Sequence, residues 1–121
     1  MRRLLIIEDE KLIRTSLRRI FDKYGFAVEE AENGKEGLVK WEAIQPDLVL
    51  LDWIMPIMNG KQVCTSTLAK SSDAIILVMS AYQNDTDKLN WQDYGVKGFI
   101  AKPFPNILDL VKLINRYLDD R

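Results

Sequence analysis

Short apolar runs and longer amphipathic stretches alternate along this chain, and the alternation repeats five times. Leu4-Leu5-Ile6-Ile7 is continuously apolar, as a buried strand is. Ile13, Leu17, Ile20 and Tyr24 then recur at helical spacing, and Gly25 ends that helix. Residues 26–31 alternate weakly, in the manner of an edge strand. Asn33-Gly34-Lys35-Glu36 reads as a capping box opening a helix that carries Leu38, Trp41 and Ile44, and Gln45-Pro46-Asp47 breaks it. Residues 48–51 form a run apolar enough for a central strand covered on both faces. Residues 53–59 read as a loop, punctuated by Pro56 and Asn59-Gly60. Residues 61–70 predict a short helix, weakened by Thr65-Ser66-Thr67. A strand over 75–79, a helix over 84–94 stopped by Gly95, a fifth strand over 96–101 and a clear helix over 107–118 complete the pattern.

The connections are too long for hairpins, which predicts parallel strands with right-handed crossovers. No repeat, low-complexity tract or linker divides the chain, so residues 1–121 are expected to form one domain. Four apolar runs end in chemically useful residues: Glu8-Asp9, Asp52, Ser80, and Lys102 with Pro103 after it. Ligands of open parallel sheets bind beyond the carboxyl ends of the strands, so these residues are candidates for one shared site.

Composition narrows the chemistry. The chain is 47% hydrophobic and 29% charged with a net charge of −1, which gives no case for nucleic-acid binding by this domain. It has no histidine, which removes histidine bases, histidine-metal sites and Ser-His-Asp triads together. The single Cys64 cannot form an internal disulfide, suits a reducing cytoplasm, and reads as a buried, inert thiol. No apolar run approaches the ~20 residues of a membrane span. The apolar run after Arg2-Arg3 is too short for a signal peptide and ends in carboxylates.

The motifs Ile7-Glu8-Asp9-Glu10, Leu51-Asp52-Trp53-Ile54-Met55-Pro56, Met58-Asn59-Gly60, Ser80-Ala81 and Lys102-Pro103-Phe104, taken in order, resemble those of a response-regulator receiver domain over essentially the whole chain. The resemblance implies a flavodoxin-like, doubly wound α/β fold. Its five parallel strands run in the order 2-1-3-4-5, with five helices on two faces. It implies two-component signalling, in which Asp52 accepts a phosphoryl group from a histidine kinase or histidine phosphotransfer protein. It also implies that the Ile54 carbonyl is a metal ligand and that the Lys102-Pro103 bond is cis. Clustered carboxylates repel, and at least one pKa should rise unless a cation sits among them. All-oxygen ligation suits Mg²⁺, with Asp9 and Asp52 as direct ligands and Glu8 acting through water. Lys102 and Ser80 would then reach the phosphoryl oxygens. The family switch draws Ser80 toward the phosphate and turns Phe99 inward. It thereby alters the surface of the fourth helix, fifth strand and fifth helix for a downstream partner or fused effector.

Each residue has an ordinary reading when taken singly. Glu8-Asp9 can be a helix N-terminal pair, Asp52 a turn former, Ser80 a cap, Lys102 a surface lysine and Phe99 a static aromatic. Trp41 and Trp91 read as packing residues, while Trp53 is expected near the site mouth. The last helix carries one apolar stripe of Ile107, Val111, Ile114 and Leu118 and a second of Leu110, Leu113 and Tyr117. The second stripe either broadens the core contact or forms a partner or homodimer surface, and the latter is favoured. Ile54 and Tyr82, each two residues beyond a site residue, are expected to shield an acyl phosphate from water. A phosphatase would carry an acid at Ile54, a pseudo-receiver would lack an acid or the lysine, and the glycine patterns match no nucleotide-binding loop.

Overall fold

All five strands lie parallel in one sheet, in the order β2-β1-β3-β4-β5. The computed structural model describes residues 1–81, 91–104 and 106–121, with Trp91 described by its backbone only. Along the chain come β1 (Arg3–Ile7), α1 (Lys11–Lys23), β2 (Ala27–Ala31), α2 (Gly34–Ile44), β3 (Leu48–Asp52), α3 (Gly60–Cys64) and α4 (Thr67–Ser71). They are followed by β4 (Ile75–Ser80), a 3₁₀ turn (Trp91–Tyr94), β5 (Gly98–Ala101) and α5 (Ile107–Asp119). The predicted helix over 84–94 lies outside the described residues up to position 90. Tyr82 lies there as well.

Successive strand side chains point to opposite faces, and that alternation divides the core in two. Leu4, Ile6, Leu48, Leu50, Leu77 and Met79 face α1 and α5. Leu5, Ile7, Val49, Leu51, Ile76 and Val78 face α2, α3 and α4. Every residue of β3 is buried, as its uninterrupted apolar run predicts for a central strand. On the first face the rings of Phe21 and Phe26 meet edge-on at 5.2 Å, across the turn where Gly25 takes φ +88°. On the second face Trp41 is fully enclosed, and its Nε1 donates to Ser72 Oγ at 3.0 Å. Cys64 is buried there too, as expected, and burial pushes its thiol up to about 12.

Three expectations are corrected. The helix over 61–70 is two helices. Ser66 ends α3 by donating to Val63 O at 2.6 Å and caps α4 by accepting from Ala69 N, so the Thr65-Ser66-Thr67 hydroxyls win over helix propensity. The capping box belongs to Asn59 and Gln62 at the start of α3. Asn33 caps α2 through Glu36 N. The second stripe of α5 at least broadens the core contact: Leu110 is buried, Leu113 and Tyr117 pack part-exposed against the first core face, and Tyr117 OH donates to Lys97 O. Five strands with helices on both sides need broad helical faces, and α5 supplies one.

Candidate functional site

The register of the sheet brings the four strand ends together. Ile7 lies opposite Leu51, which sets Glu8 beside Asp52. Asp52 lies opposite Met79, and Ser80 lies opposite Ala101 on the next strand. Lys102 N donates to Ser80 O at 2.9 Å, carrying the strand pairing to the residue that bears the ammonium. Glu8 is 0% exposed, Ser80 1% and Asp52 4%, whereas Asp9 is open to solvent. The Lys102 ammonium forms an ion pair with Glu8 Oε1 and lies 3.4 Å from Asp52 Oδ2. The Lys102-Pro103 bond is cis.

Glu8, Asp9 and Asp52 each offer a carboxylate oxygen within 4.8 Å of the others. With all three carboxylates ionised, one ammonium would leave the cluster two negative charges in excess. Burial, the charge of Glu8 and hydrogen bonds with Asp9 and Glu8 raise Asp52 to about 8, against the opposing pull of Lys102. Burial acts to raise Asp9, but its hydrogen bonds with Asp52 and Glu8, a bond to its own backbone and the charge of Lys102 hold it below the usual range. Burial acts to lower Lys102, but the hydrogen bond to Glu8 and the charges of Asp52 and Glu8 raise it above the ordinary lysine value. A hard divalent cation fits this oxygen donor set and balances the excess charge.

The loop after β3 is tightly made. Ile54 N donates to Asp52 Oδ1 at 3.4 Å and Gly60 N to Trp53 O at 2.9 Å. A Cβ at Gly60 would stand 2.8 Å from Trp53 Cα and 3.0 Å from Asp52 O, so only glycine allows this approach. Met58 N donates to Pro56 O at 2.8 Å around Ile57, a β-branched residue held at φ +71° and 75% exposed. Trp53 is not at the site mouth. The β3 alternation continues past Asp52 and turns Trp53 into the second core face, 6.0 Å from the Tyr94 ring. Ile54 is the open neighbour of Asp52, at 50% exposure. Phe99 is half-buried against the second core face. Glu10, within the first motif, and Arg14, which the sequence did not single out, also build the site. Glu10 N donates to Glu8 Oε2, and Arg14 Nη1 donates to Glu8 O.

The sequence matches the response regulator receiver domain over residues 4–115. This chain belongs to that family. Such receiver domains act in two-component signalling. The chain is 34% identical over 102 residues to the response regulator MprA of Mycolicibacterium vanbaalenii, a match covering 84% of this chain and 44% of that protein. It therefore spans about half the length of the curated relatives it matches. The CheY-like receiver domain protein of Methanospirillum hungatei superposes with a TM-score of 0.90 at 28% identity, covering 99% of this chain and 95% of that one. The response regulator TrrA of Thermotoga maritima, solved in complex with Mg²⁺-BeF, superposes at 0.81 with 30% identity and covers 98% and 99%. The acidic group of Glu8, Asp9 and Asp52 could hold a metal, as receiver domains typically do. Among the described residues no helix is long and apolar enough to cross a membrane.

Proposed function

We propose that this receiver domain, acting as one unit over residues 1–121, accepts a phosphoryl group on Asp52 from a phosphohistidine of a histidine kinase or histidine phosphotransfer protein. The observation that carries the reading is a buried carboxylate at a strand end, 3.4 Å from the ammonium of a lysine whose side chain is 8% exposed, and grouped with two further acids. Asp9, Asp52 and the Ile54 carbonyl would hold Mg²⁺, with Glu8 acting through water. Both Glu8 oxygens already have partners, in Lys102 and Glu10 N, which favours this indirect role. Bound Mg²⁺ supplies charge that offsets repulsion between Asp52 and the anionic phosphoryl group.

An Asp52 oxygen attacks phosphorus, the P–N bond to the donor imidazole breaks, and its electron pair stays on that nitrogen. Lys102 stabilises the charge on the transferred group, and Ser80 donates a hydrogen bond to another of its oxygens. Water later cleaves the acyl phosphate, so the domain turns over its own phosphate without releasing an organic product. Ser80 and Phe99 form the switch. Phe99 lacks the hydroxyl of a tyrosine, so packing alone drives its rotation. The output passes through the segment between β4 and β5, β5 itself and α5 to a downstream partner or fused effector. The buried thiol of Cys64 suits a cytoplasmic setting.

The test is intact mass after incubation with acetyl phosphate and Mg²⁺. A gain of one phosphoryl group that needs Mg²⁺ and is absent from Asp52→Asn supports the reading. No gain in the wild type sinks it in favour of a non-phosphorylated interaction module.

A further inference from the structure

We infer that Arg14, braced by Glu30, is a positioning residue for the divalent cation held by the acidic loop. The inference rests on the metal site proposed above and deepens it. Glu8 is fixed at four points. Its backbone N–H donates to Ala31 O at 3.0 Å, and its carbonyl accepts from Arg14 Nη1 at 2.8 Å. One carboxylate oxygen accepts from Glu10 N at 3.0 Å, and the other pairs with Lys102.

The carbonyl contact matters for Asp9. The Glu8 C=O and the Asp9 N–H belong to one rigid peptide plane. Holding the carbonyl toward α1 therefore sets the direction in which Asp9 leaves the sheet. Asp9 is exposed and follows the last residue pinned to β2, so no surrounding core holds it in place. The Arg14 guanidinium is the fixed strut. It is 13% exposed, and its Nε donates to Glu30 Oε1 at 2.9 Å while Nη1 reaches Glu8 O. Glu30 in turn accepts from Arg18 Nη1 at 3.1 Å, and its backbone carbonyl accepts from Lys40. A guanidinium can serve both oxygens at once because its donors form a rigid fork, which a lysine ammonium lacks. Groups that orient metal ligands from behind commonly tune affinity by about 10–100-fold.

At Arg14 charge and positioning predict opposite signs, which makes that variant decisive; at Glu30 both predict weaker binding. Removing the cation of Arg14 relieves repulsion toward Mg²⁺, so electrostatics alone predicts tighter binding in Arg14→Met. Loss of the strut predicts weaker binding. The measurement is Mg²⁺ affinity by calorimetry on the full, unphosphorylated chain, with the urea midpoint in EDTA recorded for each variant. The variants are Arg14→Met, Arg14→Lys and the conservative Glu30→Gln. Arg121→Ala is the control, since it breaks the Arg121–Asp47 ion pair away from the site.

The inference stands if Arg14→Met binds Mg²⁺ about tenfold more weakly than wild type, Glu30→Gln follows in the same direction, Arg14→Lys falls between, and Arg121→Ala binds as wild type. Equal or tighter binding in Arg14→Met overturns it, whatever the change in stability. Should that variant not fold, unchanged affinity in Glu30→Gln overturns it instead. Absence of Mg²⁺ binding in the wild type overturns the metal site itself, a result separate from any variant.

Discussion

Neutralising Asp52 in the metal-free protein should stabilise the fold, even though it removes the residue proposed to carry function. Asp52 is 4% exposed, sits among Glu8 and Asp9, and is raised from 3.8 to about 8. In the unfolded chain its proton leaves near the ordinary value, while the folded protein keeps it until the higher pH. Between those values the unfolded state binds fewer protons, so wild-type stability falls as pH rises from about 4 to about 8. Four units at about 1.4 kcal/mol each set a ceiling of about 6 kcal/mol. Sharing of the proton with Asp9 and relaxation of the site reduce this, and we take ~2 kcal/mol as the working figure. Asparagine keeps the size and much of the hydrogen bonding and removes the charge. Urea unfolding in EDTA should place Asp52→Asn ~2 kcal/mol above wild type at pH 7.5, with a smaller gap at pH 5. Adding Mg²⁺ to the wild type should narrow the gap at pH 7.5, because a ligand of the native state stabilises it. A variant no more stable than wild type at pH 7.5, or a gap that does not shrink at pH 5, refutes the account of a charge-strained carboxylate cluster.

Other substitutions probe the same loop. Ile57→Gly should relieve ~1–2 kcal/mol of left-handed strain against ~0.5–1 kcal/mol of added chain entropy. Its melting temperature should then rise by a few degrees, at roughly 4 °C per kcal/mol; a fall would show that Ile57 contributes packing despite its exposure. Gly60→Ala should cost ~2 kcal/mol, because its Cβ meets the ring of the buried Trp53 at 2.7 Å and backbone atoms at 2.8 and 3.0 Å, none of which is a free side-chain end. Trp53 fluorescence should change with it, and a wild-type midpoint would contradict the close approach. Ile54→Asn should speed loss of the acyl phosphate several-fold, read as radiolabel decay, by opening the exposed side of Asp52 to water. Tyr82→Glu, at a position outside the described residues, enters the same assay, and unchanged decay in both variants ends the shielding idea.

Much of this protein is legible in its sequence because local pattern decides it. Continuous apolar runs mean strands covered on both faces, helical spacing means crossovers, and the residues that end the runs mark the site. Chemistry set by residue type was equally readable: no histidine, oxygen donors only, one lysine among acids. Other features arose from competition that a linear pattern does not display. Ser66 split a helix because its hydroxyl served two backbone groups at once. Trp53 turned into the core because the alternation of β3 runs past the strand end. The second stripe of α5 buries Leu110 and packs Leu113 and Tyr117 partly against the core. The sequence alone determined which groups are available and roughly where each strand stops. Only the tertiary structure decided that Glu8 and Asp52 share one lysine, and that Arg14 reaches back to the acidic loop. Those relations depend on strand register and on desolvation, which exist only once the sheet has formed.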